Sequence, residues 1–271
     1  MSIVGPGRWG SAAALALLGA CAAPTGGTKP AAPEPGYDLV IRNGRMLDGA
    51  GNPWVRADVA VRGGTIAKIG RISERGRREI DATGRYVSPG WIDMMDQSGQ
   101  VLLENGAAEN KLRMGVTTLI AGEGGTPVPA AEIGGYFARL EQQGIAVNFG
   151  TYFSSGQARV KVMGDGAGRP TPAQMAAMKV EVALALEAGA FGISSALIYP
   201  PESFQTTADL IELAKVAARC GGFYATHMRD ESENLVSAIR EAVEIGEKGG
   251  VKVEIFHLKA AYAPGWGRLM P

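Results

Sequence analysis

Between residues 37 and 87, apolar and polar positions alternate in short runs, each closed by glycine, asparagine or proline. Runs at 37–41, 45–47, 57–62 and 65–69 read as strands, and Asn43-Gly44, 49–53 and Gly63-Gly64 read as the turns between them. The pattern predicts a small antiparallel β unit over 37–87. Beyond Asp93 the period changes. Strand-like runs at 116–121, 146–152, 191–195, 222–227 and 251–257 alternate with helical stretches at 130–143, from Thr171, from Thr207 to Gly221, and at 233–248. Thr171-Pro172 is a helix start, with Met175, Met178, Val182 and Leu186 on one face; Leu235, Ile239 and Val243 mark the face of the last helix. Strand–helix alternation of this length means a parallel sheet with helices outside, most economically a (β/α)8 (TIM) barrel, with about six of its eight strands in this chain. A doubly wound sheet is the alternative. It calls for a glycine-rich phosphate loop, and Gly164-Asp165-Gly166-Ala167-Gly168 lacks that spacing.

Two of those strands end in the same way. Phe223, Ala225, His227 and Arg229 share one parity, as do Val251, Val253, Ile255, His257 and Lys259. The chain has only two histidines, and each closes a strand with a cation two residues later. Parallel α/β folds build their sites at the C-terminal ends of strands. A lone histidine is ordinarily a satisfied structural residue, but the repeated placement points to a pair of metal ligands.

Charge and cysteine usage narrow the picture. Lys+Arg and Asp+Glu both number 27 and no basic run occurs, which speaks against nucleic acid as a partner. The two cysteines, Cys21 and Cys220, make no disulfide framework; Cys220, at a helix end, reads as a core residue. Residues 1–21 read as a targeting segment: Arg8, a short Ala/Leu run too short to span a bilayer, then Leu18-Gly19-Ala20-Cys21. That ending resembles the lipobox of bacterial lipoproteins, which implies a lipidated Cys21, a flexible tether over 22–36, and an address in the cell envelope at the outer membrane.

Several motifs from Tyr37 onward together resemble the amidohydrolase superfamily, and within it the N-acyl-D-amino-acid deacylases (D-aminoacylases). They are Tyr37-Asp38-Leu39-Val40-Ile41-Arg42-Asn43-Gly44, Pro89-Gly90-Trp91-Ile92-Asp93, Gly115-Val116-Thr117-Thr118, Thr226-His227-Met228-Arg229-Asp230-Glu231 and His257-Leu258-Lys259-Ala260. The resemblance implies a metal-bearing barrel over 88–271 beside a composite small β domain at 37–87. It implies that His227 and His257 bind a catalytic zinc. It implies a third ligand from Gly122-Glu123-Gly124-Gly125, where well-known members carry Cys and this chain offers Glu123, a sound zinc ligand. The superfamily's His-x-His is replaced by Met95-Asp96-Gln97, so one zinc per barrel is expected, with Asp93 and Asp96 left to hydrogen bonding. Lys259 and Tyr199 match substrate-site positions, and Arg229 is a third candidate for the substrate carboxylate, unless it pairs with Asp230 or Glu231. The family's proton-handling Asp would fall beyond Pro271, so the chain reads as a C-terminally truncated fragment, expected to be inactive alone. The implied function is zinc-dependent hydrolysis of N-acyl amino acids. The alternative is a non-catalytic, lipid-anchored binding protein built on a decayed barrel.

Overall fold

The computed structural model describes residues 36–123, 125–267 and 269. Cys21, the expected signal segment and all of the tether but Gly36 lie outside these residues. The chain divides into two compact units between Ser88 and Pro89. Among the described residues no helix is long and apolar enough to cross a membrane.

The first unit is a single sheet of β1 (Tyr37–Met46), β2 (Val55–Arg62), β3 (Thr65–Gly70), β4 (Gly76–Asp81) and the short β5 (Tyr86–Val87). The order is β3-β2-β1-β4, with β5 also beside β1. Gly63-Gly64 makes the β2–β3 hairpin as expected: both residues have positive φ, 57° and 76°, which a tight turn matching the strand twist requires. Asn43-Gly44 does not reverse the chain. β1 runs straight through it, with Asn43 left-handed at φ 63° and a one-step register shift against β2. Glycine is needed at 44 for a different reason: a Cβ there would lie 2.5 Å from a methyl of Val87. The sheet is also not purely antiparallel, because β4 and β5 both pair parallel with β1. Tyr37, Val40, Ala60 and Ile72 form its core.

The second unit alternates strands and helices: β6 (Trp91–Asp96), α1 (Glu109–Arg113), β7 (Val116–Ala121), α2 (Ile133–Gln143), β8 (Asn148–Thr151), β9 (Phe153–Ser154), α3 (Ser155–Met163), α4 (Pro172–Glu187), β10 (Gly192–Ala196), α5 (Thr207–Ala218), β11 (Phe223–His227), α6 (Leu235–Gly249) and β12 (Lys252–Ile255). Every pairing is parallel, in two ladders, β6-β7-β8 and β9-β10-β11-β12. β8 and β9 are one strand interrupted at Tyr152, whose N–H donates to the Ala121 carbonyl at 2.8 Å. The result is the expected parallel β/α architecture with six barrel strands.

Side chains leave each strand alternately toward two cores. Leu119, Phe153, Ile193 and Tyr224 pack outward against Met178, Val182, Leu210, Leu213 and Ile245 of the helices. Ile120, Tyr152, Ala225 and Phe256 pack on the inner face. A capping box of Thr171 and Gln174 starts α4, and one of Thr206 and Asp209 starts α5. α3 has no counterpart in the sequence reading. Its buried positions are Ser155, Gly156, Ala158 and Arg159, which carry no apolar period; the Ser154 hydroxyl caps it by accepting from Gly156 N–H. The buried face of α6 is also not Leu235, Ile239 and Val243 but Leu235, Ala238, Ala242, Ile245 and Gly249, with Val243 exposed. Small residues win there because α6 lies close on α5: a Cβ on Gly249 would sit 2.5 Å from Cβ of Ala214. Cys220, expected in the core, is exposed in the turn after α5.

Candidate metal centre

Three strand ends converge at the C-terminal rim of the second unit. Phe223 and Ala225 line the inner core, and His227, two further along β11, continues that face. Glu123 follows β7 by way of Gly122, whose φ of +115° and approach to the Tyr152 carbonyl (2.7 Å from a built Cβ) exclude any other residue. His257 arrives differently from the sequence expectation. Val253 and Ile255 pack toward the helices, while Phe256 faces inward. Parity alone would therefore turn His257 away from the site. Its backbone is instead left-handed, at φ 33°, and this turn after β12 brings the ring inward.

Glu123 Oε1 and His257 Nε2 each lie 3.0 Å from His227 Nδ1, and 3.6 Å from one another. Donors arranged tetrahedrally at zinc bond lengths of about 2.0–2.2 Å are separated by about 3.3–3.6 Å. One edge of the triangle matches that separation and the other two, at 3.0 Å, are about 0.3 Å shorter; its atoms are one carboxylate oxygen and two imidazole nitrogens, and all three residues are buried or half-buried. Each of these atoms can present a lone pair to the same point, where one cation satisfies all three. The residues fit a divalent metal.

The residues around Met95 do other work. Gln97 donates to Glu123 Oε2 at 2.6 Å, holding the carboxylate, and Met95 packs on the inner core. Lys111 pairs with Asp93 at 2.7 Å and with the fully buried Asp96 carboxylate at 2.8 Å. Burial pushes the Asp93 carboxyl up, but the Lys111 hydrogen bond, the Met95 N–H and the Lys111 charge together bring it below its ordinary range.

A second ring of polar groups surrounds the triangle. Glu231, buried, reaches the outer nitrogens of both histidines: Oε1 is 3.2 Å from His257 Nδ1, and Oε2 is 3.6 Å from His227 Nε2. Lys259 Nζ binds the same carboxylate and lies 3.1 Å from His257 Nδ1. Tyr199 is exposed, with its ring edge-on to His227 at 5.3 Å between centroids. Glu202 accepts from Ala196 N–H at 2.6 Å and from Ser154 Oγ at 3.0 Å. Burial raises its carboxyl; those two bonds oppose the rise and the Glu123 charge adds to it. Arg229 is not in this ring. Its guanidinium bonds Glu241 and the carbonyls of Ser203 and Gln205, because β11 ends at His227 and strand parity no longer applies two residues later. Its acidic partner is Glu241 rather than Asp230, which instead caps the loop through Ser232 and Asn234, or Glu231. Sequence reasoning missed Glu231 as a site residue, although it stands four positions after His227. For Glu202 no sequence signal exists.

A parallel β/α sheet that gathers a carboxylate and two imidazoles at its C-terminal rim defines the class of barrel metal-dependent amidohydrolases. The comparisons place the chain within that class. It is 34% identical to D-aminoacylase of Alcaligenes xylosoxydans xylosoxydans over 254 residues, 86% of this chain and 52% of that protein. It superposes on N-acyl-D-glutamate deacylase from Bordetella bronchiseptica, solved with zinc and a phosphonate mimic of the tetrahedral intermediate, with TM-score 0.77 and 32% identity over 86% of this chain and 54% of the other. A D-aminoacylase structure described for its binuclear metal centre, with one-metal activation and second-metal attenuation, matches with TM-score 0.77 and 33% identity over the same shares. No family model matches the chain. The chain belongs to the D-aminoacylase group of the amidohydrolase superfamily, and it spans about half the length of these relatives.

Proposed function

We propose that this chain carries the metal-binding part of an amidohydrolase that releases free amino acids from N-acyl amino acids. The observation that supports it most is the Glu123–His227–His257 triangle, 3.0, 3.0 and 3.6 Å on its edges, in a relative of N-acyl-D-amino-acid deacylases. Glu123, His227 and His257 would hold one zinc ion. When bound, zinc supplies Lewis acidity, lowering the pKa of a water and polarising an amide carbonyl. Gln97 orients Glu123 by its hydrogen bond. Lys259, half-exposed beside His257, offers an ammonium to the substrate carboxylate. Tyr199, exposed against His227, offers a phenol O–H to the oxygen on which charge develops. Because the chain spans about half the length of its relatives, the activity is proposed for the polypeptide that carries the complete barrel.

The test is to supply zinc to the polypeptide that carries the complete barrel and measure amine release from N-acetyl derivatives of D- and L-amino acids. Chelator-sensitive release that Glu123→Ala abolishes is the expected result. A zinc-loaded protein that releases no amine from any of them overturns the reading and favours a binding role. We further propose anchoring at the outer membrane through Cys21, following the Leu18-Gly19-Ala20-Cys21 motif. Cys21→Ser should free the protein from the membrane fraction of a bacterial host; unchanged retention, with no lipid label on the wild type, refutes the anchor.

A further inference from the structure

We propose that Glu231 is a positioning residue that sets which ring nitrogen of each histidine faces the metal, a single carboxylate serving both rings; this rests on reading the triangle as a metal centre. The two histidines present different atoms to it, Nδ1 from His227 and Nε2 from His257, each 3.0 Å from the other. A neutral imidazole has one N–H and one lone pair. A ring that turns its lone pair to a cation must carry its proton on the far nitrogen, which then needs an acceptor.

Both far nitrogens meet Glu231. His257 Nδ1 is 3.2 Å from Oε1. His227 Nε2 is fully buried and has no hydrogen-bond partner; the carboxylate oxygen facing it is Glu231 Oε2, at 3.6 Å, an ion-pair distance rather than a hydrogen bond. One side chain thus offers one oxygen to each ring. Lys259 presents the opposing demand. Its ammonium, 3.1 Å from His257 Nδ1, is a donor only and would draw the lone pair to Nδ1, leaving N–H on Nε2 against His227. Glu231 Oε1 accepts from Lys259 and lies 3.2 Å from His257 Nδ1, an ion-pair distance, so it draws the ammonium to itself and offers Nδ1–H an acceptor. Carboxylates on the outer nitrogen of a ligating histidine fix its tautomer and ring orientation, and their loss costs about 10–100-fold in metal affinity.

The loop does not depend on this side chain. Its path is held by the Glu231 backbone carbonyl, which accepts from Ala261 N–H at 2.7 Å, and by the Asp230 cap on Ser232. Glu231→Gln keeps the volume but turns one acceptor into an N–H₂ donor, so one of the two rings meets donor against donor. With two histidines in the chain, long-range ¹H–¹⁵N NMR of the zinc-loaded protein reads both rings without overlap. The expected wild-type result is metal on His227 Nδ1 and His257 Nε2. Glu231→Gln should bind zinc about 10–100-fold more weakly in competition with a chromophoric chelator, with altered nitrogen signals from at least one ring. If that variant is not recovered folded, Glu231→Asp, which keeps the charge but withdraws it by one methylene, should weaken zinc binding in the same direction. Wild-type affinity and unchanged nitrogen signals in a folded variant overturn the inference while leaving the metal centre standing. A wild-type protein that binds no zinc removes both.

Discussion

Gln97 donates its amide to Glu123 Oε2 at 2.6 Å, while Glu123 Oε1 lies 3.0 Å from His227 Nδ1. The carboxylate is therefore used on both sides: one oxygen is held, the other is presented. A residue expected to matter only as a missing ligand turns out to orient a present one.

That arrangement leads to an expected metal content. Amide nitrogen and thioether are poor zinc ligands, and Asp93 and Asp96 are committed to Lys111. Elemental analysis of dialysed, zinc-loaded protein should find about one equivalent, lost in His227→Ala or His257→Ala because zinc is retained by three or more protein ligands. Two equivalents surviving dialysis contradict the mononuclear reading.

The Asp93–Lys111–Asp96 cluster should be a stability element. The Asp96 side chain is fully buried, so Lys111→Met leaves its charge with no cation and only the Ser98 N–H and hydroxyl as donors, at a cost of up to about 3–5 kcal/mol. The pH dependence has two arms. Asp93, held below its ordinary 3.8, contributes stability that is present above that value and lost as pH falls through its folded pKa. Lys111 is pushed down by burial but raised overall from 10.5 by its bonds to Asp93 and Asp96, so its contribution is present below 10.5 and lost at more alkaline pH. Urea unfolding of wild type and variant across both ranges checks this; equal stabilities at neutral pH would sink it.

Arg229 should prove structural. Its guanidinium bonds Glu241 Oε2 at 2.9 Å, Ser203 O at 3.0 Å and Gln205 O at 2.8 Å. Lysine cannot reproduce that fork. Arg229→Lys should lower unfolding stability by about 1–3 kcal/mol, with KM for N-acyl substrates changed by less than about twofold, well under the tenfold that 1.4 kcal/mol of binding represents. A large rise in KM without a loss of stability would return Arg229 to the substrate site.

Gly249→Ala should destabilise despite the better helix propensity of alanine. Propensity favours the change by about 1 kcal/mol. The added methyl lies 2.5 Å from Ala214 Cβ in a fully buried contact between α5 and α6, and overpacking of this kind costs about 1–3 kcal/mol. A higher melting temperature than wild type would show that α6 shifts freely.

Much of this protein is legible in its sequence. The alternation of strands and helices, the Gly63-Gly64 hairpin, the Thr171 cap and the inward face of Phe223, Ala225 and His227 all follow from local periods of two and 3.6 residues, which the backbone imposes whatever surrounds it. Tertiary structure decided the rest, and most sharply just past the ends of strands. His257 turns inward only through its left-handed backbone; Arg229 turns away to Glu241; Glu231 closes over both imidazoles; Lys111 finds two aspartates 15 and 18 positions earlier in the chain. Beyond a strand's last paired residue no repeating hydrogen-bond pattern dictates where a side chain points, so its direction is set by loop path and by the charges it meets. Glu123, His257 and Glu231 are such residues, His227 alone of the centre lying within a paired strand, which is why sequence periodicity locates the strands and only the folded chain assembles the chemistry.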